Sequence, residues 1–241
     1  MNIEVYFSSQ NVDELSLRDK NILVVDVLRA STTIATALAN GAKEIIPVDT
    51  IEKAVKVSGN LYGDVVLRGG ERQGKIIEGF NLGNSPSEYT EEIVKGKSII
   101  YSSTNGAGAI VKARYAKNLL IGGFINISLV VNFIKNLNED FIILCASKNY
   151  LFSLEDAVCV GMTLEKLCEE KNIVYKLNDG AIASQSLYKT YKRNLLKMVK
   201  TANHGKYLIE IGMENDLPLC VAIDSVPVLP MQISNTIKLQ N

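Results

Sequence analysis

Ile22-Leu23-Val24-Val25-Asp26-Val27-Leu28-Arg29-Ala30-Ser31-Thr32-Thr33 decides the fold class. The unbroken aliphatic run reads as a strand buried on both faces, and residues 32–40, stopped by Gly41, read as the helix that follows it. Further β-rich runs fall at residues 44–48, 65–67, 98–101, 118–121, 141–145, 173–177 and 219–223. Helical patterns separate them, among them 154–168 after a capping Ser153. Another is 186–200, with Leu187, Tyr191, Leu195 and Val199 at helical spacing. Such alternation predicts an α/β fold with a largely parallel or mixed sheet flanked by helices.

The opening strand has an internal echo. Ile22-Leu-Val-Val-Asp26 overlays Ser98-Ile-Ile-Tyr-Ser102, Ala42-Lys43 overlays Ala116-Lys117, and Asp64-Val-Val-Leu overlays Asp140-Phe-Ile-Ile. Two βαβαβ-like units related by duplication follow: residues 1–96 with a Gly-rich loop, and 97–241 with a C-terminal extension. One closely joined domain is the other arrangement that 241 residues allow.

Composition sets the outer bounds. Apolar residues make up 47% of the chain, enough for a substantial core. Lys plus Arg equals Asp plus Glu at 26 each, so no global field favours nucleic acid or an anionic membrane. No apolar stretch approaches the ~20 residues that cross a bilayer, and Met1-Asn2-Ile3-Glu4-Val5 lacks the pattern of a secretory signal. A cytoplasmic protein is expected, with a homo-oligomer left open. Cys145, Cys159, Cys168 and Cys220 lack metal-ligand spacing and read as free thiols.

Three stretches carry candidate chemistry. In the first, Asp26, Arg29, Ser31, Thr32 and Thr33 sit where a strand runs into a helix, a place that suits a phosphate or sulfonate. Capping would explain one hydroxyl, but not three beside an Asp and an Arg. The second runs from Arg68 through Gly69-Gly70-Glu71-Arg72-Gln73-Gly74 to Asn81, Asn84 and Ser85. There Glu71 is a candidate metal ligand, Arg72 an anion clamp, and the amides and hydroxyl neutral hydrogen-bonding groups. The third, Ser103-Thr104-Asn105-Gly106, repeats the first as a second anion nest. Glu155-Asp156 reads on spacing alone as part of a capping box with Ser153, and the lone His204 as an ordinary turn residue.

The common phosphatase and nucleotide signatures are missing. Leu28 stands where a haloacid-dehalogenase-type enzyme has its second Asp. There is no Cys-x5-Arg loop and no Gly-x4-Gly-Lys-[Ser/Thr] loop, and one histidine cannot supply a catalytic pair. Metal-assisted chemistry through carboxylates remains.

Val25-Asp26-Val27-Leu28-Arg29-Ala30-Ser31-Thr32-Thr33, Gly70-Glu71-Arg72, Gly79-Phe80-Asn81-Leu82-Gly83-Asn84-Ser85-Pro86, Thr104-Asn105-Gly106 and Glu155-Asp156 occur in that order. Together they closely resemble the 2-phosphosulfolactate phosphatase family over roughly residues 3 to 230. His204-Gly205, Asp216, Asp224 and Pro227 fit its C-terminal pattern. The resemblance implies Mg²⁺-dependent hydrolysis of a small phosphoester, 2-phospho-3-sulfolactate, on the route toward coenzyme M. It implies metal ligation by Asp26, Glu71 and one of Glu155 and Asp156, and charge neutralisation by Arg29 and Arg72. It also brings His204 into the catalytic set. A phosphatase or phosphotransferase for another small phospho-acid, and a non-catalytic anion sensor, stay open.

Overall fold

The computed structural model describes residues 1–59, 65–147, 151–169 and 174–239. Its strands are β1 (Asn2–Tyr6), β2 (Asn21–Val25), β3 (Glu44–Pro47), β4 (Val66–Arg72), β5 (Lys75–Ile76) and β6 (Ser98–Ser102). They continue with β7 (Asn118–Gly122), β8 (Phe141–Cys145), β9 (Lys176–Leu177), β10 (Pro230–Ile233) and β11 (Thr236–Leu239). The helices are α1 (Ala30–Ala39), α2 (Ile51–Gly59), α3 (Glu91–Val94), α4 (Gly106–Lys112) and α5 (Ile127–Leu137). After them come α6 (Leu154–Cys168), α7 (Asp179–Tyr191), α8 (Leu195–Thr201), α9 (Asn203–Glu210) and α10 (Asp216–Cys220).

The strands form one 11-stranded sheet in the order β5-β4-β6-β3-β11-β10-β7-β2-β8-β1-β9. Two parallel blocks, β4-β6-β3 and β7-β2-β8-β1-β9, flank the antiparallel hairpin β10–β11. The α/β class read from the alternation of strands and helices is the observed one. The hairpin turns through Ser234 and Asn235, both at positive φ (49° and 66°), the turn geometry that matches strand twist.

The two units read from the sequence share an element order, β2-α1-β3-α2-β4 and β6-α4-β7-α5-β8. Each places its first strand inside the other's block: β6 lies between β4 and β3, and β2 between β7 and β8. Strands from either side of position 96 therefore alternate within one sheet. β2 is buried along its whole length, which is why its sequence is continuously apolar rather than alternating. Leu23 and Val25 enter the core beneath α5, α6 and α8, while Ile22 and Val24 enter the one beneath α1 and α4.

Three local expectations change. Residues 219–223 are no strand: Leu217 and Cys220 are buried while Leu219 and Ile223 are exposed, a helical spacing that belongs to α10 and its end. The helix expected at 186–200 is broken between α7 and α8, because Asn194 caps α8 by accepting from Lys197 N–H. Ser153 makes no side-chain cap at α6, so the expected capping box does not form. Of the run 173–177, β9 covers Lys176–Leu177 and Ile173 lies outside the described residues, as does Asp64 of the repeat. All four cysteines are free; Cys168 is exposed and the other three are buried. Among the described residues, no helix is long and apolar enough to cross a membrane.

Candidate active site

The ends of β2, β4 and β6 converge on a cleft of about 280 Å³ lined by Asp26, Arg29, Glu71, Asn84, Thr104, Asn105 and His204, with Leu28, Gln73, Gly74 and Tyr207 completing it. Two glycines permit the convergence. Gly70 has φ +132°, and a Cβ there would stand 1.9 Å from the Ser102 carbonyl oxygen, so β4 can lie against the end of β6 only without a side chain at this position. A Cβ on Gly106 would lie 2.4 Å from Asp26 Oδ2 and 2.5 Å from Ala30 Cβ, so the starts of α1 and α4 meet around the Asp26 carboxylate.

Asp26 directly follows β2 and is 8% exposed. Burial pushes its carboxyl up to about 6; His204 pulls against this, Glu71 and Glu155 add to the rise, and a hydrogen bond from Ala30 N–H opposes it. Glu71 is clamped by backbone. Its Oε1 accepts from Thr104 N–H (2.6 Å) and its Oε2 from Gly74 N–H (2.7 Å) and the Thr104 hydroxyl (3.2 Å). This carboxylate thereby ties the β4 turn to the loop after β6.

Arg29 is buried at 2% exposure, a place an arginine occupies only when paired. Nη1 donates to Asp216 Oδ2 at 2.5 Å and Nη2 to the Gly74 carbonyl at 2.8 Å. Asp216 Oδ1 in turn accepts from the Ser85 hydroxyl at 2.6 Å. Glu155 and Asp156 open α6, a helix apolar on nearly all sides and correspondingly buried. Glu155 Oε1 stands 3.5 Å from His204 Nδ1. Asp156 Oδ1 accepts from Val27 N–H at 2.8 Å. Burial drives the Asp156 carboxyl well up, and the charges of Glu155 and Asp26 add to it.

Several sequence candidates face elsewhere. Ser31 Oγ accepts from Asp26 N–H, Thr32 Oγ1 donates to the Val27 carbonyl, and Thr33 Oγ1 donates to the Asn84 carbonyl. These three hydroxyls stabilise the loop from inside and do not line the cleft. Arg72, one residue beyond Glu71, points across the strand to the carbonyls of Glu71 and Asp49 and to Ser102 Oγ. Asn81 Oδ1 accepts from Arg68 N–H at an exposed position, and Ser103 Oγ from Ala107 N–H. Asn84, by contrast, lines the cleft, and its amide oxygen accepts from the Tyr101 hydroxyl. Leu28, Gln73 and Gly74 fall inside the candidate stretches without an assigned role, and the lining residue that sequence reading missed is Tyr207. A signal existed for it, since His204 and Tyr207 are three apart on α9, and the Tyr207 hydroxyl donates to the Gln73 carbonyl at 2.8 Å.

Residues 6–235 match the family described as 2-phosphosulpholactate phosphatase. The chain belongs to that family. A relative from Caldanaerobacter subterraneus subsp. tengcongensis, named "Probable 2-phosphosulfolactate phosphatase", is 39% identical over 95% of both chains. Relatives of the same name from Clostridium acetobutylicum and Clostridium tetani are each 37% identical. Those alignments cover 98% and 99% of this chain and 100% of theirs. Membership extends over β2, β4, β6, α6 and α9, so every wall of the cleft lies within the matched span.

Proposed function

We propose that this protein hydrolyses 2-phospho-3-sulfolactate to 3-sulfolactate and phosphate, with Mg²⁺ as its cofactor. The surroundings of Asp26 support the reading: a buried carboxylate beside Glu71 and Glu155, facing Arg29 and His204 across one cleft.

The donor set suits a hard cation. Among the described residues, no three His, Cys, Asp or Glu side chains stand close enough to cage an ion. Mg²⁺ needs no such cage, because it takes one or two carboxylates and leaves its other positions to water and substrate phosphate. Asp26 and Glu71 are the residues that would hold it, and a cation would offset both the burial and the neighbouring negative charge that lift the Asp26 carboxyl. When bound, it supplies neutralisation of the phosphate oxygens and a lowered pKa for bound water. Asp156 is committed to the Val27 N–H, which leaves Glu155 as the acidic neighbour of His204.

The chain's own residues do the rest. Arg29, locked by Asp216 and Gly74, presents a fixed positive charge to the phosphoryl group. The side-chain amides of Asn105 and Asn84 offer neutral groups for the second anionic group. Glu155 orients the His204 ring through Nδ1, leaving Nε2 to give a proton to the ester oxygen. As the bond from water oxygen to phosphorus forms, the phosphorus–ester oxygen bond breaks. The alkoxide takes the His204 proton, and the proton lost by water returns to the imidazole through solvent. Phosphate release from 2-phospho-3-sulfolactate, measured with Mg²⁺ and with excess chelator, tests the proposal. Turnover that needs the metal supports it; full turnover in chelator removes the cofactor.

A further inference from the structure

A second cleft of about 320 Å³ opens on the far side of His204 and Glu155. It shares His204 with the first cleft, so a molecule whose ester oxygen sits at that imidazole has two directions in which to extend. The two directions differ in chemistry. Leu151, Phe152, Leu154 and Ala202 give the second cleft its apolar surface, Ser153, Thr201 and Asn203 its neutral polar groups, and among the described residues its wall holds no lysine or arginine. The Glu155 carboxylate in that wall repels a sulfonate or carboxylate. Leu151 and Phe152 form the rim at 70% and 51% exposure. Phe152 is held edge-on against Phe7, with centroids 5.1 Å apart and planes at 84°, so the aromatic face of the rim is fixed before anything binds.

Resting on the phosphatase reading above, we infer that this cleft is a leaving-group subsite for apolar, ring-bearing alcohols, giving the enzyme activity on arylmethyl and aryl phosphomonoesters. The phosphoryl group stays in the charged cleft, the ester oxygen lies at His204, and the ring lies between Leu151 and Phe152. Burial of a ring and of two exposed apolar side chains drives the binding. The reaction balances as for the anionic substrate: water oxygen bonds to phosphorus, the ester oxygen departs, and His204 supplies its proton.

The test compares benzyl phosphate with methyl phosphate, whose alkoxides are both aliphatic, so that their ratio of kcat/KM reports the ring and not leaving-group reactivity. Benzyl phosphate is expected to be better by about tenfold, and Phe152→Ala should bring the ratio close to one. Because Phe152 is half exposed, the variant should fold, which its thermal unfolding checks. A ratio near one in the wild type, or one unmoved by Phe152→Ala, overturns the subsite. Turnover of 2-phospho-3-sulfolactate is measured alongside. If it is absent while benzyl phosphate shows the Phe152-dependent preference, the sulfolactate reading fails and the subsite stands. No release from any of the three esters overturns both.

Discussion

Arg29 and Asp216 lie 187 positions apart in the chain and meet in a buried ion pair of 2.5 Å, with side chains 2% and 5% exposed. The pair joins the start of α1 to α10 and, through Ser85, to the loop after β5. It fixes the one fully buried arginine at the edge of the cleft among the residues named for the site.

Removing one partner leaves the other charged and unpaired in a low-dielectric setting. Asp216→Ala should cost about 3–5 kcal/mol of stability, far more than a surface pair. Urea unfolding checks this. The double variant Arg29→Met with Asp216→Ala should recover part of the loss, since no lone charge remains. Additive losses would mean that the two side chains act independently.

The Asp26 carboxyl sets up a second test, with a definite sign. Its folded value of about 6 lies above the ordinary 3.8, so the folded state holds the proton more tightly than the unfolded chain does. The associated stability is complete below the ordinary value and is lost as pH rises to about 6. In chelator, stability should therefore fall across that window by on the order of 3 kcal/mol. Asp26→Asn should reduce the fall, leaving the part due to the buried Asp156 carboxyl, and be the more stable protein at neutral pH. Added Mg²⁺ should raise the wild-type Tm above the window and not below it, because only the ionised carboxylate binds. Equal Mg²⁺ stabilisation on both sides would take Asp26 out of the metal site.

Gly106→Ala adds one methyl group where Asp26 Oδ2 and Ala30 Cβ already stand 2.4 and 2.5 Å from the new carbon. The carboxylate or the start of α1 must move, and kcat should drop by about 10²-fold or more. Gly108→Ala, on the same helix with nothing within 4 Å, is the control and should be neutral. Loss in both variants would point to helix α4 as a whole and not to the contact with Asp26.

Much of this was legible in the sequence where local pattern carries it. The aliphatic run of β2 demanded a central strand, and an Asp, an Arg and a glycine at strand ends marked the converging loops. The exchange of β2 and β6 between blocks was not legible, because strand order is set by pairing between residues far apart in the chain, 97 and 120 positions for Val25 opposite Gly122 and Cys145. Residue type likewise did not reveal direction. Ser31, Thr32 and Thr33 look like an anion cradle until their hydroxyls are seen to be used by Asp26, Val27 and Asn84. Asp156 looked like a cap, yet its partner is the Val27 N–H, 129 positions away. Arg72 follows Glu71 on a strand and so faces the opposite side of the sheet.

The selectivity of the cleft follows from its two kinds of anion partner, the charged Arg29 and the neutral amides of Asn84 and Asn105. Phospholactate, which lacks the sulfonate, should be processed about tenfold less efficiently in kcat/KM than phosphosulfolactate, because donors that meet the sulfonate go unpaired. Asn105→Ala should narrow the gap. Equal efficiency on both substrates would keep a phosphatase and remove the sulfonate from its specificity.

The most direct measurement is the rate of phosphate release from 2-phospho-3-sulfolactate by the wild type and by Asp26→Asn in saturating Mg²⁺. Asn keeps the size and hydrogen-bonding reach of Asp26 but removes the charge that the cleft is built around. The account gives steady turnover by the wild type and a kcat lower by about 10²-fold or more in the variant, on the order of 3 kcal/mol of transition-state stabilisation, with folding intact. Rates within threefold of each other, or no release by the wild type, would contradict it.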